Sequence, residues 1–580
     1  MAAKVMKKRQ LRNDTEQMEI NNQIQQARQL QGNPLSAADV RFTSVGQMLA
    51  QQARTQPEQT YLSFAEDGII QQRYTFAQFR DAVASVATSL SSKGVRRGDS
   101  VATFGYNHPE TVIQYFAAWW IGAVVVPINP GEDDARIEFI LGNSQSRLMF
   151  VRDEYAERLA TILQNRVQNG GQTAEVVLCG GNQDQFRGML DSKSSEIPCA
   201  ENCLESPCLI VYTSGTTGAP KGVLLCQGNL FADAEGISKW HGITAETVMM
   251  CVLPIHHVNG TIVTLVTPMY AGASVVLCRK FQSQHFFPVI AQEKVAIVSV
   301  VPTLLAFLLE TEIDLAEYDL RYFRHIICGA GPLTCQLAER FESRFGFPIL
   351  HGYGLSETTC YSCFLPTSLL PEEHQRWMQE YGYPSIGVPI PQNEMAIHNE
   401  QGHEVEPGER GEIVIRGHNV MLGYFQNEEA NQKAFTFGWF RSGDEGFMVM
   451  DSNQRRYFFI TGRLKELIIR GGVNISPLEI DEVINSHPKV AAGIAVGFEN
   501  NMYGEEVGAY VRPSDATLTE LELLDYCRQR LPAFKTPKVV IFGEDIPVTS
   551  TGKYQRNKVK HLFSNYKDHQ FNERKSAAHG

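Results

Sequence analysis

Short apolar runs rich in β-branched residues alternate with helical patterns along this chain: VATFGY (101–106), AVVVPIN (123–129), RLMFV (147–151), VVLC (176–179), SVVLC (274–278) and AIVSVVP (296–302). Each is too short for a buried helix and suits a strand covered on both faces. Strands that alternate with helices build βαβ units and mainly parallel sheets. The expected fold class is therefore α/β, with parallel-rich sheets flanked by helices. Between Pro384 and Asp451 the texture changes to short strands with Gly-rich turns, such as GERGEIVIRG, which predicts a small β-rich unit. After Gly462 a smaller α+β segment runs to about Phe563.

A chain of 580 residues needs at least two cores. The division expected is a polar N-terminal extension (1–40), a large N-terminal domain (41–462), a hinge (463–466), a mobile C-terminal domain (467–565) and a polar tail (566–580). Residues 1–40 are rich in Gln and Asn and poor in large apolar side chains, so they read as a solvated helix or tail without an assigned function.

The formal net charge is −12 and no long Lys/Arg block interrupts the body, which argues against nucleic acid as a partner. Val112–Val126 and Ile262–Cys278 are the most hydrophobic stretches. Both fall short of the roughly 20 apolar residues that a bilayer crossing needs. They read instead as buried helix, turn and strand, leaving peripheral membrane contact open. Twelve cysteines in so long a chain do not suggest a disulfide framework. Cys360-x-x-Cys363 stands alone, and Cys199, Cys203 and Cys208 lack a nearby His, so thiols are favoured over a zinc site. MAAKVMKKRQLR has no apolar core behind its basic residues and KSAAHG matches no peroxisomal or prenylation signal. The expected location is cytoplasmic.

The strongest local signal is Thr213-Ser214-Gly215-Thr216-Thr217-Gly218-Ala-Pro-Lys221-Gly222, flanked by CLIVY and VLL. Glycines let the backbone turn its N–H groups toward one point, and hydroxyls and an ammonium add donors, so the loop suits a polyphosphate. A Walker-type loop is the competing reading. Here, however, Pro220 replaces its second glycine, Gly222 replaces its magnesium-binding hydroxyl, and no helix follows directly.

With this loop the chain resembles the adenylate-forming superfamily of acyl-CoA synthetases, luciferases and peptide-synthetase adenylation domains. Further motifs in the same order carry the resemblance over roughly residues 45–562: Gly329-Ala330-Gly331, Gly352-Tyr353-Gly-Leu-Ser-Glu357-Thr358, Gly438 to Asp444, Gly462-Arg463-Leu-Lys465 and Thr549-Ser-Thr-Gly-Lys553. The resemblance implies that ATP, Mg2+ and coenzyme A are used. Tyr353 would stack on adenine, Glu357 would help hold magnesium and Thr358 would contact the α-phosphate. Asp444 would accept from the ribose hydroxyls with support from Arg463, and Gly329, Ala330 and Gly331 would let the backbone approach adenine and the acyl carbonyl. Lys553 would be the catalytic lysine, Lys465 the hinge, and Gly471 and Gly472 would line the pantetheine path.

The same resemblance implies a reaction. A carboxylate attacks the α-phosphorus of ATP, pyrophosphate leaves, and a thiol then displaces AMP. His257, in Pro254-Ile-His-His257-Val-Asn-Gly260, falls where the family gates its acid pocket; the competing reading is a core histidine. The Phe-Asp pair of amino-acid-activating relatives is missing, which leaves a fatty, short-chain or aryl acid. VVPTLLAFLL (300–309) could add apolar lining or be ordinary core. Cys226-Gln227-Gly228-Asn229 departs from the Thr-His-x-Asn common among relatives. A carrier-protein thiol as acceptor, a luciferase-like monooxygenase and a non-catalytic nucleotide binder are the alternatives.

Overall fold

The computed structural model describes residues 17–192, 198–213, 219–548 and 554–571. The expected strands form, and they divide between two large sheets. In the first, Val124–Ile128, Ser100–Phe104, Leu148–Arg152 and Glu175–Cys179 pair in parallel. Pro207–Thr213 joins Val124–Ile128 in parallel, and the hairpin partner Lys221–Cys226 and Gly423–Tyr424 then extend that edge antiparallel. In the second, Thr60–Glu66, Ser274–Cys278, Val248–Cys251, Ile297–Val300, His325–Cys328 and Ile349–Tyr353 run parallel in that spatial sequence, with Val248–Cys251 between Ser274–Cys278 and Ile297–Val300. Antiparallel strands close both of its edges. The fold is α/β.

The two hydrophobic stretches are buried inside this assembly. Pro109–Trp120 is a helix in which only Glu110 escapes full burial. It turns at Gly122 into the strand Val124–Ile128. Asn259–Val266 is a π-helical turn that continues as the helix Thr267–Ala271 and then the strand Ser274–Cys278. No helix among the described residues is long and apolar enough to cross a membrane. The β-rich unit is an antiparallel sheet of Asn393–His398, Gly411–Gly417, Phe440–Met450 and Arg456–Arg463.

One expectation needs correcting. Residues 17–27 are helical but not solvated, because Ile20, Ile24 and Ala27 recur at helical spacing and are buried against the main core. Arg28 follows, 8% exposed and paired with Glu205 at 2.7 Å. Three apolar residues suffice to dock a helix whose other positions are Gln and Asn, so composition conceals the face.

The chain leaves the antiparallel sheet at Arg463, turns over residues 464–466 and enters another sheet at Ile468–Arg470. That sheet contains Val473–Ile475, Gly504–Pro513, Val490–Asn500 and Val539–Phe542 and has its own apolar clusters around Ile480, Leu523 and Phe498. Its helix Pro477–Asn485 is pinned by a buried ion pair. Arg556 donates to Asp481 through both terminal nitrogens, one at 3.0 Å, and to the Ala495 carbonyl at 2.9 Å. Arg556→Leu would leave Asp481 buried and unpaired, a loss of about 3–5 kcal/mol. The unfolding transition of this segment in urea should therefore move to lower denaturant, and an unchanged midpoint would show that the pair contributes nothing.

Candidate active site

Three adjacent parallel strands, Ile297–Val300, His325–Cys328 and Ile349–Tyr353, end together. In open α/β sheets the carboxyl ends of such strands are where ligands bind, because loops there are free to diverge. Tyr353 is the last residue of its strand, and Gly329, Ala330 and Gly331 follow the neighbouring one. A Cβ on Gly329 would lie 2.6 Å from the Tyr361 hydroxyl and 2.8 Å from the Gly352 carbonyl, so only glycine permits this approach. Ala330 has φ +64, a left-handed turn rare for alanine.

The Tyr353 hydroxyl donates to Asp444 Oδ2 at 2.7 Å, joining the parallel sheet to the antiparallel one. Burial and the Asp444 charge both push the Tyr353 hydroxyl well above the ordinary phenol range. Asp444 pairs in register with Arg463 on the next strand, and Arg463 Nε approaches its Oδ1 at 3.1 Å. That approach is an ion pair without hydrogen-bond alignment, so Oδ1 keeps an unused acceptor direction. A buried carboxylate with a spare acceptor fits a hydroxyl-bearing ligand. Asp444 in turn holds the Arg463 guanidinium above its usual value.

Thr213 and Lys221 face each other across the hairpin that carries the candidate phosphate loop. The runs flanking it are strands, Pro207–Thr213 and Lys221–Cys226, as the sequence indicates. Ser214, Gly215, Thr216, Thr217 and Gly218 lie outside the described residues, as does Lys553. Lys221 places its ammonium 4.7 Å from the centre of the Tyr424 ring, and the Tyr424 hydroxyl donates to Glu357 Oε1 at 2.8 Å. Burial lowers the Lys221 ammonium, and the neighbouring charge of Lys465 lowers it further, while Glu357 acts the other way. Lys465 itself is exposed on the turn after Arg463. Lys221 and Lys465 thus repel each other beside Glu357 and the Asp444–Arg463 pair, and an anion placed there would relieve that repulsion.

Thr358 is buried in the 3₁₀ turn Ser356–Thr358, its hydroxyl accepting from Leu355 N at 3.1 Å. His257 packs its ring edge-on to His256 at 4.5 Å between centroids. Two residues later Asn259 donates to the Tyr361 hydroxyl at 3.1 Å and accepts from Ser299 at 2.7 Å, which ties the π-helical turn to the strand ends. Within VVPTLLAFLL, Leu305 and Leu308 are buried in the core beside the second sheet while Phe307 is 44% exposed. Core therefore accounts for those two leucines. Gly471 and Gly472 are brought to none of these groups. They form the two-residue turn between Ile468–Arg470 and Val473–Ile475, with φ +57 and +84, beside the Tyr503 ring. Hairpin geometry by itself requires glycines there.

Sequence reasoning passed over Tyr424, Asn259 and Tyr361. A tyrosine in GYFQN carries no local signal, because its role depends on a strand pairing 200 residues away in sequence.

Comparison with known proteins identifies the family. The sequence profile of the AMP-binding enzyme family matches residues 49–425, and that of the AMP-binding enzyme C-terminal domain matches residues 479–553. The chain is 34% identical over 495 residues to an oxalate–CoA ligase of Arabidopsis thaliana, covering 84% of this chain and 93% of that one. It is 31% identical over 520 residues to a sulfoacetate–CoA ligase of Cupriavidus necator, covering 89% and 97%. The o-succinylbenzoate CoA synthetase of Bacillus subtilis, solved with ATP and a magnesium ion, superposes with a TM-score of 0.76 at 29% identity, covering 88% and 99%. The chain belongs to the AMP-binding enzyme family, within the adenylate-forming superfamily, and is an AMP-forming acid–thiol ligase.

Proposed function

We propose that this protein joins a carboxylic acid lacking an α-ammonium group (fatty, short-chain or aryl) to coenzyme A through an acyl-adenylate. The observation that carries the reading is the meeting of Tyr353, Asp444 and Arg463 at the ends of parallel strands. An aromatic face, a carboxylate with a spare acceptor and a guanidinium behind it match adenosine: base on Tyr353, ribose hydroxyls on Asp444. The phosphates then extend toward Lys221 and the Thr213–Gly222 loop. Thr358 would contact the α-phosphate, and the glycines at 329 and 331 would admit adenine and the acyl carbonyl.

Glu357 fits a magnesium ion, being a hard carboxylate bonded through Oε1 to Tyr424. Mg2+ is commonly held by one or two carboxylates plus substrate phosphates, and when bound it supplies positive charge to them. The chain's own residues do the rest. They hold the carboxylate in line with the α-phosphorus and offset the charge that develops as pyrophosphate leaves, so catalysis is positioning and electrostatics. Lys553 would supply one of those charges. Thiol attack needs another approach to the same carbonyl. Lys465 is proposed as the hinge between the domains joined at 463–466, and Gly471 and Gly472 as lining for the pantetheine arm. His257 is proposed at the mouth of the acid pocket. The relatives are named as CoA ligases or as a CoA synthase across chemically unlike acids, which supports coenzyme A as the thiol rather than a carrier protein.

Lys553→Ala should lower acid-dependent ATP–pyrophosphate exchange by at least ~10²-fold, as expected for one lost preorganised donor. Thioester formation from supplied acyl-adenylate should suffer far less. Exchange near the parent rate in the folded variant would remove Lys553 from the first step. Asp444→Ala should raise the ATP concentration needed by an amount equivalent to about 1.5–3 kcal/mol, the contribution of a hydrogen bond to a charged group. A 2′,3′-dideoxy nucleotide should bind parent and variant alike. Equal binding of ATP and the dideoxy analogue by the parent would rule out ribose recognition by Asp444.

A further inference from the structure

The helix at 17–27 delivers Arg28 into the interior, where its Nη2 donates to Glu205 at 2.7 Å and to Cys226 Sγ at 3.6 Å. Cys226 Sγ donates in turn to Asn229 Oδ1 at 3.1 Å, and Asn229 Nδ2 donates to the carbonyls of His418 and Val420 at 2.8 and 2.9 Å. His418 Nε2 then donates to the Asn33 carbonyl at 3.0 Å, which returns the circuit to the N-terminal segment where it began. Cys226, Asn229 and His418 are all buried, so the links reinforce one another in a medium of low dielectric.

The departure Cys226-Gln227-Gly228-Asn229 is met at each of its first three positions by residues 28–45. Besides Arg28 on Cys226, Val45 N donates to Gln227 Oε1 at 2.7 Å. Leu35 lies against Gly228, where a Cβ would come within 2.6 Å of the leucine Cδ2 and 2.8 Å of the Leu204 carbonyl. The far side of the circuit carries the site. Gly423 and Tyr424 pair with Leu224 and Val223, and Phe425 N donates to the Gly222 carbonyl at 2.7 Å, next to Lys221. Met421 N donates to the Glu357 carbonyl at 2.9 Å, Asn419 Nδ2 to the Thr358 carbonyl at 3.3 Å, and Thr359 to the Asn419 carbonyl at 2.6 Å. Asp233, one turn on from Asn229, meets the Asn419 side chain from the same helix. Thr359 has φ +65, a strained backbone that its surroundings must hold. Lys221 hangs on the strand that ends at Cys226, and Glu357 hangs on the stretch that begins at His418. Their separation is therefore set by the circuit that joins those two ends.

We propose that the N-terminal segment from the helix at 17–27 to Leu35 is a brace for the triphosphate half of the site, in which Arg28 acts through Cys226 and the Asn33 carbonyl acts through His418. Arg28 and His418 are positioning residues. The effect on the reaction rests on the reading that Lys221 and Glu357 serve the triphosphate. Tyr353, Asp444 and Arg463 lie on other strands, so the brace leaves adenosine recognition alone.

That separation makes the role measurable in the full chain. Arg28→Met keeps an unbranched stem beside Ile24 and Ala27 but removes the donor, and His418→Leu removes the other one. Each should raise the KM for ATP in pyrophosphate exchange at least about fivefold while competitive inhibition by adenosine stays within about twofold, the size expected for one link lost between coupled groups. His418→Gln retains an N–H for the Asn33 carbonyl and should stay near the parent. A lowered melting temperature with unchanged KM for ATP would reduce the segment to packing and overturn the brace. So would equal loss of ATP and adenosine, or a His418→Gln variant as impaired as His418→Leu; this pair decides the matter if Arg28→Met does not fold. Lys221→Met tests the underlying reading separately: an unchanged KM for ATP there would remove Lys221 from the triphosphate site, whatever the Arg28 and His418 variants do.

Discussion

Asp444 is 1% exposed, and a carboxylate so placed must be paired or it forfeits several kcal/mol of hydration. Its two side-chain partners come from different parts of the fold. Tyr353 ends a strand of the second large sheet, Asp444 belongs to the antiparallel sheet, and Arg463 is the last residue before the chain turns toward its C-terminal segment. One buried charge therefore fixes how two sheets meet and where the following turn begins. Lys465 lies two residues beyond Arg463, so a movement of that turn and the occupancy of the nucleotide site would share a single anchor.

The geometry around Lys221 gives the same site its electrostatic bias. Lys221 is partly buried against Tyr424, with Lys465 acting to discharge it and Glu357 acting to keep it charged. Bringing a polyphosphate here would replace repulsion by attraction, which is a larger gain than the same lysines would offer on an open surface. The two-residue hairpin turn at Gly471 and Gly472 shows the opposite case, in which glycines are already required by φ and no site contact is needed to explain them.

Much of the fold was legible because it rests on local pattern. The β-branched runs from VATFGY to AIVSVVP form strands, and GERGEIVIRG lies in the antiparallel sheet, since burial on both faces and Gly-rich turns leave marks in a few consecutive residues. The buried face of the helix at 17–27 was missed because three apolar residues among Gln and Asn do not shift composition. Of the site, the motif residues Tyr353, Asp444, Arg463, Lys221 and Glu357 do converge in space. The groups that hold them were invisible: Tyr424 works through a pairing with Lys221–Cys226, and Asp233 and Asn419 meet only because a helix and a loop 186 residues apart in sequence pack together.

Ligation through an acyl-adenylate has a consequence that follows the acid's own atoms. An acid carrying heavy oxygen in both carboxylate positions is incubated with the enzyme, ATP and coenzyme A, and the products are weighed by mass spectrometry. Attack of the carboxylate on the α-phosphorus places one heavy oxygen in the phosphate of AMP and none in pyrophosphate, with the other retained in the thioester. Heavy oxygen in pyrophosphate or orthophosphate, or AMP free of it while thioester accumulates, would contradict the adenylate.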